Sequence, residues 1–154
     1  MGFTTPCFIR KNTTNIRNGL KEIGYHCNPY LGWNNLYTSV FGFASVYSME
    51  DNDINVISEK IDNIIDCGTN ESLFLAIAAL RDDTDKNQWF IADSPLSVSY
   101  DDVIGNDHYF VMDEGSVFFW NINWMHTTII LGNFHKATVE ELIEYFKGKE
   151  VSHG

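Results

Sequence analysis

A cysteine at the predicted start of a helix is the residue of this chain best suited to chemistry. Cys67 stands in the run Asp66-Cys67-Gly68-Thr69-Asn70, and the helical pattern of residues 71–81 follows directly. Free backbone N–H groups and the helix dipole stabilise an anion at such a position, so a thiolate would form there more readily than usual. The position makes Cys67 the candidate nucleophile if the protein is a small thiol-dependent enzyme.

A nucleophilic cysteine also needs a base, usually a histidine within hydrogen-bond reach, and a third group that orients that base. The candidate bases are His26, His108, His126 and His135, and no sequence spacing pairs any of them with Cys67. Cysteine is among the most frequently buried residue types, which favours a packed residue at a strand end. We therefore predict no catalytic residue and keep Cys67 as the alternative.

The charge of the chain is strongly acidic and unevenly distributed. The 154 residues include 21 acidic and 10 basic residues, with a net charge of -11, whereas residues 1–30 hold four bases against one acid. An acidic body repels phosphate backbones and anionic membranes, so we expect neither direct nucleic-acid binding nor membrane association. The charge predicts instead a surface for a basic protein partner. Its candidate binding residues are Asp51, Asp53, Asp82, Asp83, Asp85, Asp101 and Asp102.

Metal and cofactor motifs are incomplete or missing. Residues 51–55 and 83–87 match the first three ligand positions of a calcium-binding EF-hand loop, but the glycine required at the sixth position is Val56 or Gln88. Acidic turns exposed to solvent explain both runs, because Asp and Asn favour turns without any metal. The sequence contains no zinc-type Cys and His spacing and no glycine-rich phosphate loop. We therefore predict no metal and no cofactor.

The cysteines and the N-terminus indicate a compartment. Three cysteines, Cys7, Cys27 and Cys67, cannot all pair within one chain and are too sparse for a disulfide framework. The first residues carry no basic segment followed by an apolar one, and no apolar run approaches the length of a membrane span. We expect reduced thiols and a cytoplasmic location.

The hydrophobic pattern favours many strands and few helices. Helices are predicted over residues 16–23 and 71–81 and after the capping box of Thr138 and Glu141. Residues 36–48 predict one long strand or a hairpin bent at Gly42, and residues 50–63 are ambiguous. Further strands are predicted at residues 3–9, 64–67, 89–92, 96–100, 108–112, 117–122 and 127–131. Strands in runs predict one α+β domain over residues 1–154, with a mostly antiparallel sheet and about three helices on one face.

Several segments resemble a group of small uncharacterised bacterial proteins, some of them carried on phage or mobile elements. The similar segments are residues 3–10, 20–25, 66–74, 88–90 and 135–143. The resemblance implies a bacterial cytoplasmic accessory protein and transfers no site residues. Together these observations predict a small acidic binding or regulatory protein without enzymatic activity, and a thiol-dependent enzyme centred on Cys67 is the alternative.

Overall fold

A computed structural model of the chain describes residues 2–101, 104–120 and 128–149. The chain divides into two compact units. The first unit contains residues 1–83 and 139–154, and the second contains residues 84–138.

The first unit is built on a five-stranded mixed sheet. Its strands are β1 (Cys7–Ile9), β2 (His26–Cys27), β3 (Asn35–Ser39), β4 (Ser45–Met49) and β5 (Ile65–Asp66). They lie in the order β2-β4-β3-β1-β5. The central pairs β1–β3 and β3–β4 are antiparallel, whereas the outer pairs β2–β4 and β1–β5 are parallel. The short strand β2 therefore forms one edge of this sheet.

The described part of the first unit also contains four helices: α1 (Thr14–Ile23), α2 (Ile54–Ser58), α3 (Glu71–Ala78) and α4 (Val139–Phe146). Thr13 caps α1 through its hydroxyl, and Gly24 ends it with a left-handed φ of 114° that few other residues adopt. Helix α3 packs against β1 and contacts both α1 and α4. Because α3 is apolar on most sides, it buries five side chains in this core, those of Leu73, Phe74, Ala76, Ile77 and Ala78.

The second unit contains two antiparallel three-stranded sheets. Its strands are β6 (Gln88–Ala92), β7 (Leu96–Asp101), β8 (Asp107–Met112), β9 (Val117–Trp120), β10 (Ile129–Leu131) and β11 (Phe134–Lys136). One sheet has the order β10-β7-β8 and the other β11-β6-β9. Phe90, Ala92, Leu96 and Phe118 form the buried core of the unit, so both sheets contribute to it.

The predicted α+β class with mostly antiparallel strands is confirmed. The strands of the described residues form three sheets rather than one, and four helices are present where about three were expected. The additional helix is α2, within the ambiguous residues 50–63, where the Asp53 carboxylate accepts from the Asn55 N–H. Residues 36–48 form the hairpin of β3 and β4, and Gly42 supplies the positive φ of its turn.

The first predicted strand is shorter in the structure. The first strand begins only at Cys7, directly after Pro6, which has no N–H to donate to a sheet. The predicted strands 117–122 and 127–131 each lie partly outside the described residues. None of the helices in the described ranges is both long and apolar enough to span a bilayer.

Candidate functional site

Cys67 lies just after β5 and three residues before the cap of α3. The helix begins at Glu71, and the Asn70 side chain accepts from the Leu73 N–H at 3.1 Å. The Cys67 N–H donates instead to the Phe8 carbonyl at 2.8 Å, in continuation of the parallel pairing between β1 and β5. Asn70, not Cys67, therefore occupies the position that receives the free N–H groups of the helix.

The surroundings of the Cys67 thiol oppose ionisation. The side chain is only 4% exposed, and Sγ lies 3.8 Å from the Ile65 carbonyl oxygen. The hydrogen bond with the Cys7 thiol, together with burial and the charge of Asp66, raises the pKa of Cys67 well above its ordinary value. A raised pKa keeps the thiol protonated at neutral pH, which is the opposite of what a nucleophile needs.

A buried polar cluster connects Cys7 to its neighbours in the first unit. The Cys7 N–H donates to Thr38 Oγ1 at 2.9 Å, and the Cys7 thiol lies 3.4 Å from the same hydroxyl. The Tyr25 hydroxyl donates to the Ala78 carbonyl at 2.7 Å, and burial raises the pKa of Tyr25. These groups satisfy one another inside the core, as buried polar groups in folded proteins generally do.

The three candidate histidine bases among the described residues lie on three different strands. His26 lies on β2, His108 stacks on Tyr100 at a centroid distance of 4.9 Å, and His135 Nδ1 lies 2.8 Å from the Asp93 carboxylate. His126 lies outside the described residues. Within the described ranges, no group of three or more His, Cys, Asp or Glu side chains is arranged to hold a metal ion.

The predicted acidic residues of the first unit form two separate pairs. Asp51 and Asp53 organise the start of α2, where Asp51 Oδ1 accepts from the Asp53 N–H at 2.9 Å. Asp82 accepts from the Gly2 N–H at 2.8 Å, and Asp83 accepts two hydrogen bonds from Arg81, at 2.7 and 2.8 Å. The hydrogen bonds from Arg81 lower the pKa of Asp83, so this carboxylate stays charged over a wide pH range.

These two pairs contact different parts of the N-terminal segment. Gly2 contacts Asp82, whereas the Arg10 guanidinium donates to the Asn52 carbonyl at 2.8 Å, between Asp51 and Asp53. Gly2 and Arg10 are eight positions apart in the sequence, and strand β1 lies between them. The structure therefore does not bring the acidic candidates of the first unit together on one site.

The acidic candidates of the second unit also lie in different places. Asp85 lies 3.6 Å from the Lys136 ammonium group, so its charge is balanced locally. Asp101 ends β7 directly opposite Asp107, the first residue of β8, and both are exposed. Asp102 lies outside the described residues. Two exposed carboxylates thus lie at one end of the β7–β8 pair.

Beside these carboxylates, the sheet β10-β7-β8 exposes four large apolar side chains on one side, two on each side of a central row of serines. Tyr109 and Val111 on β8 are 68% and 57% exposed, and Ile129 and Leu131 on β10 are 59% and 65% exposed. Ser99 pairs with both Tyr109 and Ile129, and Ser97 pairs with both Val111 and Leu131. We call the six residues Ser97, Ser99, Tyr109, Val111, Ile129 and Leu131 the open face.

The opposite side of the same sheet faces the core of the second unit. Leu96 and Val98 on β7 are fully buried, and Met112 and Ile130 pack against the core cluster. Because side chains alternate between the two sides of a strand, the burial of these residues places their neighbours on the open face. The Tyr109 hydroxyl lies 3.4 Å from Ser97 Oγ, so the ring leans along the sheet above the small serines.

The open face was not predicted because residues 109–112 of β8 and all three residues of β10 are apolar. Such runs are typical of strands buried on both sides, and on β8 only Asp107, at its start, marks the solvent-facing side. The available signal lay on β7, where Ser97 and Ser99 alternate with Leu96 and Val98.

Comparison with known protein families, with curated proteins and with solved structures finds no match to this chain.

Proposed function

We propose that this protein is a non-enzymatic binding or regulatory protein that engages a basic protein partner through the open face. The observation that carries the proposal is the exposure of four large apolar side chains on one side of the sheet β10-β7-β8. Contiguous apolar patches on soluble domains mark interaction sites more often than chance. The proposed location is the cytoplasm, in keeping with its three free cysteines.

The charge around the open face supports a basic partner. Asp101 and Asp107 lie at one end of the β7–β8 pair, and Asp113 and Glu114 follow β8 at the other end, all of them exposed. The second unit holds seven acidic residues against two lysines. A second copy of this acidic chain would be repelled, whereas a segment with an apolar centre and flanking Lys or Arg residues complements both the face and its ends.

Tyr109 supplies an anchor suited to such a contact. Tyrosine is enriched in binding surfaces because its ring buries a large area while its hydroxyl keeps a hydrogen bond. Here the hydroxyl lies within hydrogen-bond distance of Ser97 and the ring is 68% exposed. A partner segment that covers the ring would therefore gain apolar contact without leaving the hydroxyl unsatisfied.

The test uses two short synthetic peptides that share a valine-containing apolar centre, flanked by lysines in one peptide and by glutamates in the other. We expect isothermal titration calorimetry to detect binding of the lysine peptide only, with an affinity that falls as salt screens the charges. The double variant Val111→Thr with Leu131→Thr should weaken that binding at least about tenfold, a loss of about 1.4 kcal/mol.

A matched control lies on the β3–β4 hairpin, where Phe41 and Phe43 are 95% and 88% exposed. The double variant Phe41→Ser with Phe43→Ser removes more exposed apolar surface from the other unit and should leave binding unchanged. Equal binding of both peptides, no binding of either, or a loss confined to the phenylalanine variant would each contradict the proposal.

A further inference from the structure

A cationic pocket lies at the edge of the five-stranded sheet, beside β2. Its volume is about 510 Å³, which falls in the range of small-molecule sites. Arg17 and Lys21 line it from α1, and His26 and Cys27 line it from β2. Three nitrogen-bearing side chains that carry or can gain positive charge thus share one cavity of a strongly acidic chain.

The positive charge of this pocket is not balanced locally. Of the four bases in the first 30 residues, Arg10 pairs with Asp66 at 2.6 Å and Lys11 pairs with Glu71 at 3.3 Å. Within the ranges that the structure describes, Arg17 and Lys21 have no carboxylate partner. The two remaining bases of this part of the sequence, Arg17 and Lys21, therefore both lie in the wall of the pocket.

The helix fixes the geometry of the two cations. Arg17 and Lys21 are four residues apart on α1, so they lie on the same side of the helix, one turn apart. The Arg17 guanidinium donates to Asn12 Oδ1 and, at 3.1 Å, to Thr14 Oγ1. Both acceptors are neutral, so they orient the guanidinium without cancelling its charge, and a guanidinium retains further N–H donors for a ligand.

We propose that this pocket binds a small phosphate monoester. A phosphate monoester carries nearly two negative charges at neutral pH and three acceptor oxygens, which match a guanidinium, an ammonium and an imidazole. The volume exceeds what inorganic phosphate fills, and Pro29 and Leu31 provide an apolar wall for the organic part. The site belongs to the first unit and is independent of the open face.

Cys27 provides a local probe of occupancy. It is the only one of the three cysteines that is not buried, and it lines the pocket. Iodoacetamide is neutral, so its reaction with Cys27 does not depend on attraction to the cationic wall. We expect ribose 5-phosphate to slow this alkylation and inorganic phosphate to slow it less. Succinate and chloride at equal ionic strength should have little effect.

Variants of the pocket residues distinguish binding of ribose 5-phosphate in the pocket from a general effect of ionic strength on alkylation. Arg17→Gln and Lys21→Gln should each raise the concentration of ribose 5-phosphate needed for protection at least about tenfold. Lys147→Gln removes an exposed lysine directly after α4 and should change nothing, and circular dichroism verifies that each variant is folded. Lys21 is itself exposed, so its replacement keeps the test meaningful even if Arg17→Gln disturbs α1. Equal protection by succinate or chloride, no protection by ribose 5-phosphate, or unchanged protection in both variants would overturn the proposal.

Discussion

Asp101 and Asp107 are direct cross-strand partners at the end of the β7–β8 pair. Like charges that face each other across an antiparallel pair destabilise it. Two carboxylates of like charge therefore lie beside the open face, where a cation supplied by a partner would interact favourably with both. This arrangement links the acidity of the second unit to its exposed apolar surface in a single proposed interface.

Replacing Asp107 by Asn is expected to stabilise the free protein while weakening its binding to the lysine peptide. Loss of the repulsion should raise the free energy of unfolding by roughly 0.2–1 kcal/mol at low salt, and the gain should shrink as salt increases. Urea unfolding at two ionic strengths measures the effect. Glu114→Gln removes the same charge from the turn after β8 and should give a smaller change. Destabilisation by Asp107→Asn would argue against the repulsion.

The second unit shows what the sequence could and could not predict. Turn residues between short apolar runs correctly indicated the antiparallel strands β6 to β9. The separation into two sheets was not predictable, because it depends on which distant strands pair, as when β11 pairs with β6. The exposure of Tyr109 and Ile129 depends on the pairing of β8 and β10 with β7. Local sequence patterns therefore could not predict it.

Asn70 connects two helices of the first unit, and its replacement should destabilise both. Its Oδ1 caps α3 by accepting from Leu73, and its Nδ2 donates to the Phe146 carbonyl at the end of α4 at 3.1 Å. Asn70→Ala should lower the free energy of unfolding by roughly 2–3 kcal/mol, because it removes a cap and a buried hydrogen bond. Urea unfolding followed by circular dichroism tests this expectation.

Asn70→Ser separates the two contributions. A serine hydroxyl can cap α3, but it is too short to replace the amide that reaches Phe146. Its cost should therefore be about 1 kcal/mol, close to that of one buried hydrogen bond. Equal losses in the Ser and Ala variants would mean that the cap contributes little and that the connection to α4 dominates.

The thiol-enzyme alternative predicts that Cys67 reacts in the folded protein, and the structure leads us to expect that it does not. Cys7 and Cys67 are buried, and the pKa of Cys67 is raised first by its hydrogen bond with Cys7. Iodoacetamide at pH 8 should label Cys27 in the folded protein and all three cysteines in urea, with the sites located by mass spectrometry. Cys27→Ser should abolish labelling of the folded protein. Rapid labelling of Cys67 would revive the enzyme hypothesis.

The position of Cys67 also shows the limit of reading a helix start from sequence. Asp66, Thr69 and Asn70 all have side chains that cap helices well, and the pattern alone does not choose among them. The parallel pairing of β5 with β1 extends the strand conformation to Cys67 and leaves Asn70 as the cap. A tertiary contact thus decides which residue meets the helix dipole.

The ion pair between Arg10 and Asp66 should make the stability of the first unit depend on pH in the acidic range. The two groups are 2.6 Å apart, and the Gly68 N–H also donates to Asp66. Burial acts to raise the pKa of Asp66, but the hydrogen bonds from Arg10 and Gly68 outweigh it, so the pKa is lowered. A carboxyl whose pKa is lower in the folded state contributes stability at pH values above its unfolded pKa, about 3.9 for Asp.

That contribution should disappear as the pH falls through the lowered pKa of Asp66, because the folded protein must then protonate a paired carboxylate. The free energy of unfolding of the natural chain should therefore exceed that of Asp66→Asn at pH 6, and the difference should shrink below about pH 4. Both groups are partly exposed, so we expect a difference of at most about 1 kcal/mol. Asp62→Asn removes an exposed carboxylate with no ion pair among the described residues and should not show this pH dependence. A difference between Asp66→Asn and the natural chain that grows as the pH falls would reverse the assigned sign.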